Sequence, residues 1–157
     1  MSGIKKFKID TKELSQKEKV LFKKLISAAE LIAPLYLKQK NNKHPGANFY
    51  PYDATKEEIE RAARKNPAIL SSYTFVERDK AGKLIAIPYH LKFKKELKPI
   101  SEFLEEAADL SEDKNFSLYL RSRAKSLLDD NYEKSEIIWL KTKPFKFSFI
   151  FIGSYIT

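Results

Sequence analysis

The sequence predicts a mainly helical α+β protein, in which a helix bundle is accompanied by a β-hairpin and a C-terminal strand. Glycine is scarce, with four residues, while lysine, glutamate, leucine and alanine are abundant, and this composition favours helix. Apolar residues recur at steps of three and four over long stretches, whereas three short stretches have a period of two. The length of 157 residues favours a single domain, residues 1–157, with residues 1–12 flexible.

The first helix is predicted from a start signal and an apolar stripe. Ser15 and Glu18 have the spacing of a capping box, in which each side chain satisfies a free backbone N–H at the helix start. Pro34 lies inside the pattern and predicts a kink or a local disturbance of the helix. The stripe continues to about Gln39 through Leu21, Phe22, Leu25, Ile26, Ala29, Ile32, Ala33 and Tyr36.

A short helix and a hairpin follow a loop at residues 41–46. Thr55 and Glu58 form a second capping box, and the helix that they open ends near Asn66-Pro67. The period then changes to two over residues 73–77 and again over residues 84–87. A polar loop that carries Gly82 separates these stretches, which together predict a β-hairpin.

Two more helices and a strand complete the prediction. Pro99 suits the first position of a helix that continues through Phe103, Leu104, Ala107 and Ala108. Another apolar stripe runs from Phe116 to Leu128 and ends at residues 129–131. In the segment 143–157, four phenylalanines alternate with other residues at positions 145, 147, 149 and 151, which predicts a strand with an edge suited to pairing with a partner strand.

The charge favours a lysine-rich surface over a nucleic-acid interface. The net charge is +9, but only five of the 30 basic residues are arginines, the residue best suited to bidentate contacts with phosphates and bases. A nucleic-acid-binding module is kept as an alternative. There is no cysteine, no apolar leader at the N-terminus and no apolar run of about 20 residues, the length that a membrane helix requires, so we expect a cytoplasmic protein without a membrane partner.

The residues alone predict no catalytic or metal site. His44 and His90 are the only histidines, and they are too few and too far apart for a zinc site, which needs three or four ligands. His44 is interpreted as a loop residue and His90 as the exit of a strand. Three acidic pairs are assigned to the surface or to helix caps: Glu57-Glu58, Glu105-Glu106 and Asp129-Asp130. The aromatic segment 48–53 is interpreted as a packed loop.

Several stretches, in their order, resemble a known family. They are Ala28–Ile32 with Leu37–Gln39, Phe49–Glu58, Ser72–Arg78 with Leu84–Tyr89, Glu96–Pro99 with Leu104–Ala108, Leu120–Ala124, Asp130–Tyr132 and Ser135–Trp139. This series is similar to the N-terminal part of the bacterial dipeptidyl-peptidase III-like zinc metallopeptidases, some of which carry Nudix names through fused relatives. The resemblance extends from about residue 15 to residue 155.

The resemblance implies a two-lobed zinc hydrolase that removes dipeptides from peptide N-termini. In that family a helix bearing HExxH or HExxxH and a glutamate from a second helix hold the zinc, and this sequence contains neither histidine motif nor the Nudix signature. The family's substrate-binding segment is matched here by Gly153 and Tyr155. Ile156 stands where the family has a glutamate that holds the substrate's N-terminus.

The resemblance therefore predicts a truncated or degenerate N-terminal part of such a peptidase, without catalysis by itself and without a cofactor of its own. Its expected partners are a second copy or a separate catalytic lobe, bound through the C-terminal strand. The alternatives are the lysine-rich nucleic-acid-binding module and a protein-interaction module.

Overall fold

The structure is a computed structural model that describes residues 11–39 and 50–142. Within these ranges it is mainly helical with one two-stranded antiparallel sheet, which confirms the predicted fold class. In chain order the elements are α1 (Gln16–Gln39), α2 (Lys56–Lys65), a 3-10 turn (Pro67–Leu70), β1 (Thr74–Arg78), β2 (Leu84–Pro88), α3 (Tyr89–Lys92), α4 (Lys94–Leu110), α5 (Lys114–Asp129) and α6 (Glu133–Lys141). The predicted strand in 143–157 and the loop at 41–46 lie outside the described residues, as do ten of the twelve residues predicted to be flexible.

Helix α1 begins at the predicted capping box. The Ser15 N–H donates to Glu18 Oε2 at 2.6 Å, and the Ser15 hydroxyl accepts from the Glu18 N–H at 3.2 Å. The helix continues through Pro34 without ending. Its buried face consists of Leu21, Leu25, Ala28 and Leu35, which follow one another at steps of four, three and seven residues. The predicted stripe was wrong at Ile26, which is 39% exposed, and at Ala33, which is also exposed, because both residues lie to one side of the buried face.

Helix α4 begins five residues before the predicted start at Pro99. Pro99 therefore lies in the second turn of α4, where it cannot donate a backbone hydrogen bond. Leu97 and Ile100, on either side of it, are completely buried. Packing of this segment against the bundle thus outweighs the cost of an internal proline.

The bundle is built by successive pairing of helices. α1 packs on α4, α4 packs on α5, and α5 packs on α6. Completely buried residues along α4 and α5 form the centre of the core: Leu97, Ile100, Leu104, Ala107, Tyr119, Leu120, Ala124 and Leu127. Exposed ion pairs cross the same helices, with Glu106 2.5 Å from Lys24 of α1 and Glu105 2.9 Å from Arg121 of α5.

The predicted hairpin is confirmed and lies between two apolar clusters. In the register of the sheet, Phe75 is opposite Ile87 and Val76 is opposite Ala86. Phe75 packs against the bundle, edge to face with Phe93 at 5.8 Å between ring centroids. Val76, on the opposite face, belongs to a second cluster with Ala63 of α2 and Ile69 of the 3-10 turn. The period of two therefore serves two separate packing surfaces.

Candidate functional site

The two residues predicted to contact substrate, Gly153 and Tyr155, lie outside the described residues, and so does His44. Within residues 11–39 and 50–142, three other sites have side chains that could bind a ligand or take part in a reaction. These are a histidine–aspartate pair between α3 and α5, a buried arginine between aromatic rings, and a cleft between α2 and the hairpin.

His90 and Asp130 form a pair across 40 positions of sequence. His90 Nδ1 lies 2.7 Å from Asp130 Oδ2, and the His90 backbone N–H donates to both carboxylate oxygens at 3.2 and 3.1 Å. The Asp130 side chain is 9% exposed and that of His90 is 28% exposed. The Asp130 side chain is therefore not at the surface, although the residue does form a helix cap. His90 follows the end of β2, as predicted, and is the second residue of α3.

Asp130 reaches this position because the backbone turns there. It caps the C-terminus of α5 in the left-handed conformation, with φ at +57°, which aspartate tolerates better than most residues other than glycine. The sequence Asp129-Asp130-Asn131 signals a helix end, but nothing in it points to His90. A carboxylate that orients an imidazole is one half of a general-base arrangement.

Arg123 of α5 is the most buried charged side chain in the described part of the chain, with 4% exposure. Its guanidinium lies between the rings of Tyr119 and Tyr132, at 5.7 and 5.2 Å from their centroids. Phe116 stacks on Tyr119, and Tyr73 stacks on Tyr132, so each of the two rings beside the guanidinium has an aromatic neighbour of its own. Its Nε and Nη1 have no hydrogen-bond partner among the described residues.

Arg78, at the end of β1, ties the hairpin to α2. Its Nη1 and Nη2 donate to the two carboxylate oxygens of Glu58 at 2.7 and 2.9 Å, and its Nε donates to Asp53 at 2.8 Å. Nη1 also donates to the carbonyl of Gly82, in the hairpin loop, at 2.7 Å. These bonds fix α2, the hairpin loop and the segment before α2 to one guanidinium.

The same network sets the ionisation of Glu58. The hydrogen bond from Arg78 lowers the pKa of Glu58, with smaller contributions from the charges of Arg78 and Arg61. Glu58 was predicted to be a capping residue whose carboxylate faces solvent or the helix start. Thr55 does cap α2 by accepting from the Glu58 N–H at 3.2 Å, but the carboxylate of Glu58 is engaged by Arg78.

A cleft of about 630 Å³ opens beside this network, between α2 and the hairpin. It is lined by Thr55, Glu58, Arg61, Ala62, Lys65, Asn66, Lys83 and Leu84. A volume of this size lies within the range of about 300–1,000 Å³ typical of ligand sites. Sequence reasoning missed the cleft because its two walls lie about 20 residues apart in the chain.

The described residues do not fit the zinc implied by the resemblance. In residues 11–39 and 50–142, no group of three or more histidine, cysteine, aspartate or glutamate side chains converges closely enough to hold a metal ion. We therefore assign no metal-dependent step to them. In the same residues, none of the helices has both the length and the apolar character needed to cross a membrane.

The fold and its sites define a mainly helical α+β unit in which a hairpin is braced between a bundle and a small cluster. This fold is similar to part of dipeptidyl-peptidase III from Caldithrix abyssi, with a TM-score of 0.77 and 24% identity over 86% of this chain and 35% of that one. It is also similar to part of dipeptidyl-peptidase III from Corallococcus sp. strain EGB, with a TM-score of 0.73 and 24% identity over 87% of this chain and 35% of that one.

Sequence comparison is less informative. No family model matches the chain. Part of this chain is 33% identical in sequence to part of Nudix hydrolase 3 of Arabidopsis thaliana, and the match covers 62% of this chain and 16% of that protein. The chain thus spans about a third of the similar solved structures and a smaller share of the curated relative. The predicted resemblance to dipeptidyl-peptidase III is confirmed at the level of the fold.

Proposed function

We propose that this chain is a non-catalytic portion of a dipeptidyl-peptidase III-like peptide hydrolase, corresponding to its N-terminal part. The observation that carries the proposal is the TM-score of 0.77 over 86% of the chain. The ordered series of sequence stretches from residue 15 to residue 155 supports it independently. In this proposal, peptides are the substrates and zinc is the cofactor of the whole enzyme.

The proposal assigns hydrolysis to another portion of the enzyme. Peptide hydrolysis of this type needs a metal that polarises the carbonyl and activates water. The sequence of residues 1–157 contains no HExxH or HExxxH motif. Residues 1–157 would therefore form part of one lobe of the enzyme and contact the peptide substrate. The cytoplasmic location stays a prediction from the sequence.

A chimaera tests this function. Replacing the portion of the Caldithrix abyssi enzyme that matches residues 15–142 by those residues, so that the enzyme keeps its own substrate-binding segment, should preserve zinc-dependent hydrolysis of dipeptidyl-naphthylamides, whereas deleting that portion should abolish it. This chain alone, incubated with zinc, should show no turnover. A folded chimaera that neither binds nor hydrolyses peptides would count against the proposal, and so would zinc-dependent turnover by the chain alone that survives repurification.

We also propose how this portion meets its partner. The strand predicted in 143–157 would pair with a separately encoded catalytic lobe or with a second copy of the chain. Deleting residues 144–157 should then abolish complex formation in a pull-down or by light scattering. Unchanged oligomeric state and unchanged capture after the deletion would eliminate this partner surface without affecting the proposed family relationship.

A further inference from the structure

We propose that the cleft between α2 and the hairpin binds an acidic peptide segment that carries two carboxylate side chains at alternate positions. This inference rests on the described side chains of the cleft and does not depend on the relationship to peptide hydrolases.

The cleft has an excess of cationic groups. Arg61 and Lys65 project from α2, and Lys83 comes from the hairpin loop. All three side chains are exposed, and in the described part of the chain none of them lies within 4.0 Å of a carboxylate oxygen. Glu58, the acidic residue of the lining, is already engaged by both terminal nitrogens of Arg78. An anionic ligand would therefore meet three cations without displacing an existing ion pair.

The C-terminal end of α2 explains only part of this charge. Cations in the last turn of a helix interact favourably with its unpaired carbonyls, and Lys65 occupies such a position. Arg61 lies one turn earlier, and Lys83 belongs to a different element. The helix dipole thus accounts for one of the three cations, and the convergence of the other two on the same cleft requires another reason.

The spacing of the cations matches an extended peptide. Arg61 and Lys65 are four positions apart on α2, so their Cβ atoms are about 5–6 Å apart. In an extended chain, side chains two positions apart point to the same side and are separated by roughly 6.5 Å. Two glutamates separated by one residue would therefore meet Arg61 and Lys65 in turn, with Lys83 approaching from the opposite wall.

The lining residues favour a peptide over a nucleotide. Ala62 and Leu84 provide apolar contact for the methylene groups of glutamate side chains. No aromatic ring is present among the lining side chains given above, so the cleft offers no platform on which a base could stack. Arg61 supplies the planar fork that suits a carboxylate.

A peptide titration tests the inference. The full chain, labelled with ¹⁵N, is titrated at low salt with acetyl-Ala-Glu-Ala-Glu-Ala-amide and, separately, with the peptide in which both glutamates are replaced by glutamine. The glutamate peptide should shift the amide signals of Arg61, Lys65, Asn66, Lys83 and Leu84, and the glutamine peptide should bind at least tenfold more weakly. Adenosine monophosphate and inorganic phosphate are titrated in parallel.

Charge reversal separates a cleft from a generally basic surface. The K65E/K83E double variant should bind the glutamate peptide at least tenfold more weakly than the unaltered chain. The control is K125E/K134E, two exposed lysines on α5 and α6 that give the same change in net charge, and it should alter binding less than twofold. Circular dichroism establishes that both variants are folded. Equal losses in the two variants, or tighter binding of either phosphate compound than of the peptide, would overturn the inference.

Discussion

Asp130 closes α5 with its backbone and holds the start of α3 with its carboxylate. It accepts from the backbone N–H of His90 and lies 2.7 Å from the His90 ring, while its own backbone N–H donates to the carbonyl of Ser126. Removing the carboxylate leaves a half-buried backbone N–H and a ring nitrogen without their acceptor. Loss of the partner of a buried polar group costs about 1–3 kcal/mol.

We therefore expect D130A to lower the free energy of unfolding by about 2 kcal/mol. D130N keeps one acceptor oxygen and the tolerance for positive φ, so it should lose about half as much. Glycine adopts positive φ without steric strain but has no carboxylate, so D130G isolates the contribution of the carboxylate from that of the backbone conformation. Urea unfolding followed by circular dichroism measures all three variants. A D130A variant as stable as the original chain would show that the pair with His90 contributes nothing to the fold.

The charge of Arg123 is also buried, but among the described residues no carboxylate forms an ion pair with it. The two tyrosine rings provide the compensation, since a desolvated cation over an aromatic face is stabilised by about 2 kcal/mol. A lysine at this position keeps the charge but loses the planar group that stacks between two rings. An apolar chain of similar length removes both the charge and its desolvation cost.

We expect R123K to lower the free energy of unfolding by about 1–2 kcal/mol, whereas R123M should leave it within about 1 kcal/mol of the original value or raise it. Guanidinium chloride unfolding of the two variants measures the difference. If R123M is the less stable variant, then the attraction between the charge of Arg123 and the tyrosine rings outweighs the cost of burying that charge.

At the scale of elements, α2 is held to the hairpin by the bonds between Arg78 and Glu58. Because the pKa of Glu58 is lowered, the stability that these bonds contribute must depend on pH. A carboxyl whose pKa is lowered by folding stabilises the fold above its ordinary pKa, here 4.5, and loses that contribution as the pH falls through the lowered value. The bonds between Arg78 and Glu58 should therefore weaken only at acidic pH.

The E58Q variant should consequently be less stable than the original chain at neutral pH, and the gap should narrow as the pH falls below 4.5. Urea unfolding at a series of pH values measures the difference in free energy of unfolding between E58Q and the original chain. E60Q serves as the control, because Glu60 is exposed on the same helix and, among the described residues, its nearest cation is Lys56 at 3.9 Å. A gap for E58Q that stays constant into acid would mean that its ionisation is not linked to folding.

Elements whose signals are local were predictable from the sequence, and elements that depend on packing were not. The capping box of α1, the end of α2 and the hairpin follow from side chains within a few residues of one another. The start of α4 was missed because burial of Leu97 outweighs the preference of Pro99 for a first turn. The prediction also omitted the 3-10 turn, α3 and α6, which are short and lack a distinct apolar period.

The candidate sites were missed for a related reason at the scale of the whole molecule. The histidine–aspartate pair joins positions 40 residues apart, and the cleft joins α2 to a loop across the hairpin. Such contacts depend on how the bundle and the hairpin pack, which no spacing in the sequence records. The residues that the family resemblance did single out, Gly153 and Tyr155, fall outside the described ranges, so their substrate contacts stay a prediction.

The two apolar clusters give the whole molecule two levels of stability. The larger cluster joins α1, α3, α4 and α5, whereas the smaller one has, among the described residues, three buried members, Ala63, Ile69 and Val76. Regions with fewer buried apolar contacts open locally at lower free energy than the core does. The smaller cluster and the hairpin face that covers it should therefore open before the bundle does.

Native-state hydrogen exchange tests this order of opening with two truncations of large apolar side chains. L104A, at the centre of the bundle, should cost about 2–5 kcal/mol and speed exchange throughout the described helices. I69A should cost a similar amount within the smaller cluster, yet speed exchange mainly in α2 and the hairpin and leave the slowest amides of α4 and α5 unchanged. If I69A accelerates the slowest amides of α4 and α5 as much as those of α2, the two clusters unfold as one cooperative unit, because the hairpin that lies between them transmits the loss to the bundle.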